Sequence, residues 1–412
     1  MRLGVLLWCM LVMPFATVWA QAGTVFSDTG PDAVGYGIRQ EYPGRRGGVL
    51  LPQQFMVGSY SHYETVNPVH GIAKAATPSP LHRAPAEISL TWHHASADLT
   101  LDDYLRRNPT TGVLIARNDT ILFEHYQYGR TDHDRLLSQS MAKTVTGMLI
   151  GIALSEGAIR SLDQRASDYV SGLAGTAYGE TTLRNLLHMA SGVAFTEVYD
   201  GADDNAKLGR QRFAANGPGA VRALAGFSER GAPQGTRFHY ASSETQVLGL
   251  VLANAVRMSL AAYLQSRIWQ PMGAEADAAW GVDPAGLEVA SCCLNAVLRD
   301  WARFALLLAH DGMWNGRQII PRQWVLDATT PEAPFLAPTA APPHLGYGYQ
   351  VWLQPGARRQ FSLRGVHGQA ILVDPQARLV LVHTAVRLRP ANDPQAAELG
   401  ELWRALVARY GS

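Results

Sequence analysis

The spacing of apolar and polar residues predicts strands toward both ends of the chain and helices between them. Residues 112–116 and 120–126 are rich in β-branched and aromatic side chains. They flank the turn dipeptide Asn118-Asp119, so they predict a β-hairpin. An almost unbroken apolar run over residues 141–154 then predicts a buried helix.

Helical spacing dominates the middle of the chain, and strand spacing returns after it. Loops rich in glycine and proline separate the predicted helices, which are residues 182–189, 219–225, 244–257 and 294–310. The predicted strands that follow are residues 346–353, 361–363, 369–373 and 379–386, before a last helix over 394–410. This order predicts an α+β fold, with an antiparallel sheet formed from both ends of the chain and flanked by helices. A mainly helical insert would occupy about residues 160–340.

The first twenty residues have the pattern of a secretory signal peptide. Arg2 precedes an apolar stretch over residues 3–15, and a small residue, Ala20, stands before Gln21. A membrane anchor is the alternative, although the stretch is short for a span and contains Pro14. We therefore expect an exported protein, periplasmic or secreted, without an integral membrane segment once the signal is removed. Residues 21–95 predict an irregular extension, and residues 96–412 a single domain.

Composition narrows the classes of function. The 412 residues are 47% hydrophobic and 17% charged, which is typical of a packed globular protein rather than a disordered one. Net charge is +1 and no basic run is interleaved with aromatics, so nucleic-acid binding is not expected. The sequence does not indicate an oligomeric state.

Two cysteines, Cys292 and Cys293, remain after the predicted signal peptide, and they are adjacent. Neighbouring Cα atoms lie about 3.8 Å apart, which is shorter than the usual span of a disulfide. Two interpretations stay open: a pair of small buried apolar residues, or a strained vicinal disulfide. No cysteine spacing typical of zinc is present in the sequence.

Lysine is rare in this chain, which draws attention to one of its three lysines. Lys74, Lys143 and Lys207 stand among 35 basic residues that are otherwise arginine. Arginine keeps its proton in proteins, whereas a desolvated lysine can become a neutral amine base. Ser140 precedes Lys143 by three positions at the start of the apolar helix, so both share one helix face near free backbone N–H groups. The pair is a candidate nucleophile and base. The alternative is a capping serine with a lysine that reaches solvent.

Further segments along the chain extend this pattern. They are Ser140-Met141-Ala142-Lys143, residues 186–192, Tyr240-Ala241-Ser242, residues 299–304 and Gly365-Val366-His367-Gly368-Gln369. In this order they resemble the serine β-lactamase and penicillin-binding protein family, especially its class C-like esterase and amidase branch. The chain is most similar there to 6-aminohexanoate-dimer hydrolase-like proteins. The resemblance covers roughly residues 100–412 and implies a serine hydrolase that uses no metal and no organic cofactor.

The resemblance also implies a third catalytic residue, Tyr240. A phenol beside a protonated lysine would ionise more readily and pass a proton to the leaving group. Ser242 stands where asparagine is common, so one hydroxyl donor replaces the two of an amide. In the third motif Val366 occupies the place of the usual cation, so the group that holds a β-lactam carboxylate is predicted to be missing.

Substrate contacts are implied for four more residues. Gly368 permits close backbone approach, and the N–H of Gln369 would be the second oxyanion donor. His367 would touch the substrate or leaving group, or else be structural, and Tyr199 would face the cleft. The acidic residues nearby are interpreted as a solvated loop or as an attraction for an amine-bearing substrate; they are Asp200, Asp203 and Asp204.

The sequence therefore predicts a serine hydrolase that cleaves an ester or amide of a small molecule through an acyl-enzyme on Ser140. A DD-peptidase or β-lactamase is the alternative enzyme, and the departures at Ser242 and Val366 count against it. A non-catalytic binding protein on the same fold is the alternative of another class. The intact set of Ser140, Lys143 and Tyr240 counts against that interpretation.

Overall fold

The structure is a computed structural model, and it describes residues 23–38, 51–214, 216–340, 343–391 and 393–411. The predicted signal peptide lies outside these residues. The strands are β1 (Val25–Phe26), β2 (Val69–Ile72), β3 (His82–Arg83), β4 (Thr91–His94), β5 (Ala97–Thr100), β6 (Thr110–Arg117), β7 (Thr120–Tyr126), β8 (Leu136–Leu137), β9 (Ala278–Gly281), β10 (Leu294–Ala296), β11 (Met313–Trp314), β12 (Arg317–Gln318), β13 (Thr339–Ala340), β14 (Pro343–His344), β15 (Gly346–Tyr347), β16 (Trp352–Leu353), β17 (Phe361–Gly365), β18 (Gln369–Asp374) and β19 (Leu379–Ala385). The α-helices are α1 (Met56–Ser59), α2 (Tyr63–Val66), α3 (Leu101–Arg107), α4 (Ala142–Ser155), α5 (Leu183–Leu187), α6 (Asp204–Phe213), α7 (Gly219–Ala225), α8 (Ser242–Val256), α9 (Leu260–Leu264), α10 (Leu298–Ala309), α11 (Arg322–Ala328) and α12 (Gln395–Tyr410).

The main sheet joins the two ends of the chain. Its strands follow the order β1, β7, β6, β19, β18, β17, β16, β15, and β3 also pairs with β7. β6 and β7 form the predicted hairpin, with Asn118 in its turn at a φ of 56°. β19 runs antiparallel to β6, with Val382 opposite Leu114. The predicted α+β class, with a sheet built from both chain ends, is confirmed.

Helices cover both faces of this sheet, which explains why its central strands are apolar at consecutive positions. Leu114 and Val382 belong to the core that includes residues of α4 and α10. Ile115 and Leu381, on the other face, pack with residues of α12 such as Trp403. All seven residues of β19 are buried.

Helix α4 is buried on every side, as its unbroken apolar sequence predicts. Every residue from Ala142 to Ala153 is buried. Gly151 allows the closest contact, because a Cβ at this position would lie 2.2 Å from the ring of Trp324. The N-terminus of α4 is therefore fixed by packing along the whole helix.

Two predicted elements differ from the structure. Residues 294–310, predicted as one helix, divide into β10 and α10, because Leu294–Ala296 pairs with β8 and β9. Residues 346–353, predicted as one strand, form β15 and β16 around a turn in which Gln350 has a φ of 60°. The Gln350 side chain donates to the carbonyl oxygens of Leu186 and Leu187, a tertiary tie that local spacing does not encode.

The described part of the N-terminal extension adds strands to the two largest sheets. β1 and β3 pair parallel with β7, while β2 joins the four-stranded sheet of order β2, β9, β10, β8. Its remaining turns include α1 and α2, which bring tyrosines toward the nucleophile. Among the described residues, no single helix is long and apolar enough to cross a membrane; Ser242–Val256 and Leu260–Trp269 pass that test only together, bent by 72°.

Candidate active site

The candidate nucleophile, Ser140, lies in a single helical turn directly before α4. The turn is tied to β10, because the N–H of Ser138 donates to Leu294 O at 2.8 Å and the N–H of Leu294 donates to Ser138 Oγ at 3.2 Å. Gln139 has a φ of 45°, so the backbone bends sharply just before the serine. Met141 is buried, whereas Ser140 is partly exposed and faces a cavity.

The candidate base, Lys143, is enclosed by three hydrogen-bond partners. Its side chain is only 2% exposed, and Nζ lies 2.8 Å from Ser140 Oγ. Nζ also lies 2.9 Å from Ser242 Oγ and 3.1 Å from the carbonyl oxygen of Ser291. Burial lowers the pKa of Lys143 to about 8, against a smaller opposing effect of Glu197. An appreciable fraction of the amine is therefore neutral near pH 7.

Tyr240 is the third residue that the structure brings to this place. Its phenol shares a hydrogen bond with the Ser140 side chain, and its ring stacks on Trp352 with centroids 5.4 Å apart. Burial and the charge of Glu197 raise the pKa of Tyr240 well above its usual value. The expectation that Tyr240 ionises readily does not hold for the resting site, because burial and the charge of Glu197 favour the neutral phenol. Lys143 Nζ lies over the ring, 4.9 Å from its centroid. Tyr240 is a neutral phenol that can donate a proton.

Ser242 links the lysine to a carboxylate that the sequence analysis missed. Its hydroxyl accepts from Lys143 and donates to Oε1 of Glu197 at 2.6 Å, and its N–H donates to Oε2 at 2.6 Å. The Tyr199 hydroxyl donates to the same Oε1 at 2.8 Å. Tyr199 therefore lies at the site, as predicted for a cleft residue, and its partner Glu197 stands only two residues earlier in the sequence. The spacing of two residues between Glu197 and the predicted cleft residue Tyr199 was the sequence feature that could have indicated Glu197.

The acidic cluster holds the loop that carries Glu197 and Tyr199. Asp203 accepts from the N–H groups of Val198 and Tyr199, both at 2.7 Å. Asp204 accepts from the N–H and the hydroxyl of Thr196, both at 2.9 Å. These carboxylates are engaged in local backbone turns, so the geometry favours a structural role over attraction of an amine.

Two glycines of the third motif are closely packed. A Cβ at Gly365 would lie 2.6 Å from Ser138 O and 2.8 Å from Gln139 Cβ, so this residue packs against the nucleophile turn. At Gly368, the glycine predicted to permit close approach, a Cβ would lie 2.9 Å from Arg387 Cδ, and the residue borders the second cavity. Residue spacing alone does not show which of the two glycines meets Ser138.

His367 and Gln369 hold the same hairpin in place. His367 has a φ of 63°, and its Nδ1 lies 2.6 Å from the carbonyl oxygen of Arg387. Burial lowers its pKa, so the ring is neutral near pH 7. The amide of Gln369 donates to Ala385 O at 2.7 Å and accepts from Ala385 N at 3.2 Å. Both residues border the cavities around Ser140, but the hydrogen bonds of their side chains are with backbone, and the His367 ring lies edge-on to the ring of Tyr60.

Two cavities meet at Ser140. The first, of about 160 Å³, is lined by apolar, aromatic and polar residues, among them Leu51, Tyr60, Tyr63, Asn205 and Arg212. The second, of about 370 Å³, contains Tyr240, Trp352 and three arginines, which are Arg364, Arg387 and Arg389. The motif position itself holds Val366, while Arg364, two positions earlier, brings a cation to the second cavity from β17.

The adjacent cysteines form a vicinal disulfide beside the lysine. Cys292 is bonded to Cys293, so the interpretation as two unlinked thiols is wrong. The preceding carbonyl, that of Ser291, is the one that accepts from Lys143 Nζ. Cys292 itself borders the first cavity, and the indole of Trp280 donates to its carbonyl oxygen at 3.0 Å.

The arrangement combines a serine nucleophile, a lysine with a lowered pKa and a neutral phenol in one cavity. These groups suffice for attack on a carbonyl and protonation of a leaving group without a cofactor. Within the described residues, no three His, Cys, Asp or Glu side chains are grouped as a metal site requires.

Comparison with known proteins finds the same overall arrangement in hydrolases. The Beta-lactamase family matches residues 97–402. A 6-aminohexanoate-dimer hydrolase of Paenarthrobacter ureafaciens is 28% identical over 294 residues, which cover 68% of this chain and 74% of that protein. A solved structure from Bacillus anthracis, assigned as a 6-aminohexanoate-dimer hydrolase, has a TM-score of 0.77 at 23% identity and covers 92% of this chain and 98% of its own. A family VIII carboxylesterase has a TM-score of 0.54 at 17% identity, covering 73% and 93%.

Proposed function

Because the chain belongs to the Beta-lactamase family and is a serine hydrolase, we propose that it cleaves an ester or amide bond through an acyl-enzyme on Ser140. The observation that carries this proposal is the distance of 2.8 Å between Ser140 Oγ and Nζ of the buried Lys143. A base with a pKa of about 8 accepts a proton effectively near neutral pH. The similarity to a 6-aminohexanoate-dimer hydrolase and to a carboxylesterase supports small esters and amides as the substrates.

In the acylation step, Ser140 Oγ bonds to the carbonyl carbon while its proton moves to Nζ of Lys143. The carbonyl oxygen becomes an oxyanion, which backbone N–H groups stabilise. One donor is the N–H of Ser140 at the start of the helical segment. Because Gly365 packs on the nucleophile turn and Val366 borders both cavities, we assign the second donor to the N–H of Val366, ahead of Gln369.

Expulsion of the leaving group needs a proton, and Tyr240 is placed to give it. The phenol donates to the leaving oxygen or nitrogen as its bond to the carbonyl carbon breaks, and the phenolate regains a proton from the Lys143 ammonium. Water then attacks the acyl-enzyme carbonyl while neutral Lys143 accepts its proton. The bond to Ser140 Oγ breaks as the Lys143 ammonium returns that proton to Oγ, which releases the acid and restores the resting enzyme. The raised pKa of Tyr240 keeps the donor protonated throughout the neutral range.

The proposal is tested by covalent labelling with a fluorophosphonate, read by mass spectrometry of the modified peptide. The expected adduct is on Ser140, in parallel with loss of 4-nitrophenyl ester hydrolysis. The variant Ser140→Ala should lose both labelling and turnover, while Ser161→Ala, a serine in a surface turn, keeps both. Unchanged ester and amide hydrolysis in Ser140→Ala would contradict the proposal.

A DD-peptidase or β-lactamase is the second candidate, and Arg364 is the observation that favours it. Substrates of both classes carry a carboxylate, and Arg364 supplies a cation in the cavity that contains Tyr240. We place this candidate second because the related proteins include an amide hydrolase and a carboxylesterase. Nitrocefin hydrolysis as fast as simple ester hydrolysis would reverse the order.

Export is part of the same proposal. It is supported by the signal-peptide pattern of residues 1–20 and by a disulfide, which is typical of oxidising compartments. Fractionation of cells that express the full chain should place mature protein, beginning near Gln21, outside the cytoplasm. Retention of the uncleaved chain in the cytoplasm would contradict this part.

A further inference from the structure

A row of hydrogen bonds leads from the nucleophile to a carboxylate that the mechanism above does not use. Ser140 Oγ, Lys143 Nζ, Ser242 Oγ and Glu197 Oε1 follow one another at 2.8 Å, 2.9 Å and 2.6 Å. Tyr199 closes the row from the far side with its bond to Glu197. Glu197 borders both cavities, so it lies at the junction of the catalytic space.

Acylation creates a charge that this row is suited to compensate. When Lys143 takes the proton of Ser140, an ammonium forms on a side chain that is only 2% exposed. A buried cation without a nearby anion is strongly disfavoured. Within the described residues, Glu197 is the carboxylate whose charge acts on Lys143.

The separation of the two charges follows from the hydrogen bonds. Two bonds of 2.9 Å and 2.6 Å through one oxygen place Nζ and Oε1 no more than about 5.5 Å apart. The Ser242 hydroxyl accepts from the amine and donates to the carboxylate through a single oxygen atom. The serine at this place in the second motif therefore makes a shorter link than an amide side chain would.

We propose that Glu197 is a positioning residue for catalysis, which acts through Ser242 to hold the Lys143 amine against Ser140 and to stabilise the ammonium formed in acylation. This inference rests on the proposed acyl-enzyme function. In this proposal Ser242 links the two charges, and the Tyr199 hydroxyl holds the Glu197 carboxylate. Asp203 fixes the loop that carries both Glu197 and Tyr199.

The competing explanation is that Glu197 only supports its loop. Its carboxylate does accept from the backbone N–H of Ser242, a bond that stabilises the start of α8. A purely structural role would lower thermal stability and activity together and would leave the pH dependence of activity unchanged. The shape of the pH–rate profile therefore separates the two explanations.

The test compares Glu197→Gln with wild type in profiles of log kcat/KM against pH, using a 4-nitrophenyl ester. The acid limb, set by Lys143, should move to lower pH because the compensating charge is gone. Coulomb's law over about 5.5 Å, with an effective dielectric constant between about 80 and about 20, gives a shift of roughly half a unit to roughly two units. The plateau rate should fall by about 10-fold or more, since the ammonium is less stable. Glu229→Gln, which removes an exposed carboxylate outside both cavities, is the matched control and should change neither quantity.

A double-mutant cycle with Ser242→Ala tests the route. If Glu197 acts in part through Ser242, its removal should lower kcat/KM by a smaller factor in the Ser242→Ala background than in wild type, where only the through-space effect of its charge remains to be lost in the former. An unmoved acid limb in Glu197→Gln, or losses that simply multiply in the double variant, would overturn the inference. Should Glu197→Gln fold poorly, Glu197→Asp, which keeps the charge, provides the second measurement and should retain the acid limb. Fluorophosphonate labelling of Ser140 is run on each variant, so failure of the acyl-enzyme proposal is seen separately.

Discussion

Arg364 offers the sharpest prediction about the substrate. It lines the cavity that also holds Tyr240, the proposed proton donor to the leaving group. Its Nε donates to Ser362 Oγ at 3.0 Å, and no carboxylate of the described residues forms an ion pair with it. Burial and the neighbouring Arg387 lower its pKa to about 10, so the guanidinium remains charged near neutrality. A leaving group with a carboxylate should therefore be preferred, and Arg364→Gln should remove that preference.

The expected change in the preference for the anionic leaving group follows from the loss of one hydrogen bond between the Arg364 guanidinium and a carboxylate. A hydrogen bond between two ionised groups contributes about 1.5–3 kcal/mol, which corresponds to roughly 10-fold to 100-fold in kcat/KM. The assay uses two hexanoyl esters, one of 4-hydroxybenzoate and one of methyl 4-hydroxybenzoate. Their ratio of kcat/KM is compared between enzymes, because intrinsic reactivity cancels in that comparison. Arg364→Gln should lower the ratio by that factor, mainly through the anionic ester.

Two further variants make the reasoning refutable. Arg364→Lys keeps the charge but loses the planar fork, so it should retain part of the preference. Arg317→Gln removes an exposed arginine outside both cavities and should leave the ratio within about 2-fold. A ratio that is the same in wild type and Arg364→Gln would refute the reasoning. So would equal loss on both esters, because that result indicates damage to the site rather than lost recognition of a charge.

Three other predictions follow from the geometry. Tyr240→Phe should lower kcat/KM by about 10²-fold to 10⁴-fold on an alkyl amide and much less on a 4-nitrophenyl ester, whose leaving group departs without a proton; equal losses on both substrates would argue against proton donation. Gly365→Ala should lower kcat by about 100-fold or more, because the added Cβ would lie 2.6 Å from Ser138 O and displace the nucleophile turn. Gly71→Ala is the control; a Cβ there meets no atom within 4 Å, so kcat should be unchanged in the same assay. Glu244 has a pKa raised to about 8 by burial, so the folded state binds its proton more tightly and stability should fall as pH rises from about 4.5 through 8. Melting temperatures of Glu244→Gln should therefore depend less on pH in that window than those of wild type.

The fold was predictable where one local pattern decides the structure. The hairpin of β6 and β7 follows from two β-rich runs around Asn118. The start of the helix expected over residues 294–310 was predicted wrongly, because Leu294–Ala296 pairs as a strand with β8 and β9. The residues of β8 lie far away in sequence, so local spacing does not reveal this pairing. The turn at Gln350 was missed for the same reason, because the side chain of Gln350 donates to the carbonyl oxygen of Leu186 in α5, far away in sequence.

The candidate site shows the same division between local and long-range information. Ser140 and Lys143 are three residues apart on one helix, so their contact was readable from spacing alone. Glu197 reaches the lysine only through Ser242, 45 residues later in the chain, and no spacing rule connects them. The arginine of the second cavity follows from no motif position: the motif aligns Val366 with the usual cation, whereas Arg364 lies two positions earlier, on β17.

The position of Gly365 shows what the order of motifs along the chain leaves undetermined, namely which glycine packs against the nucleophile turn. A close approach of two backbones requires a residue without a side chain, but β17 and the turn after it contain two such residues, Gly365 and Gly368. What decides between them is the pairing of β17 with β18, which aligns Gly365 opposite Gln369 and leaves Gly368 in the turn. That pairing is fixed by the buried residues of both strands, which pack against the helices on either face of the sheet. We therefore expect core packing to position the proposed oxyanion donor, the N–H of Val366. A substitution that shifts the register of β17 should abolish activity even though every predicted catalytic side chain remains present.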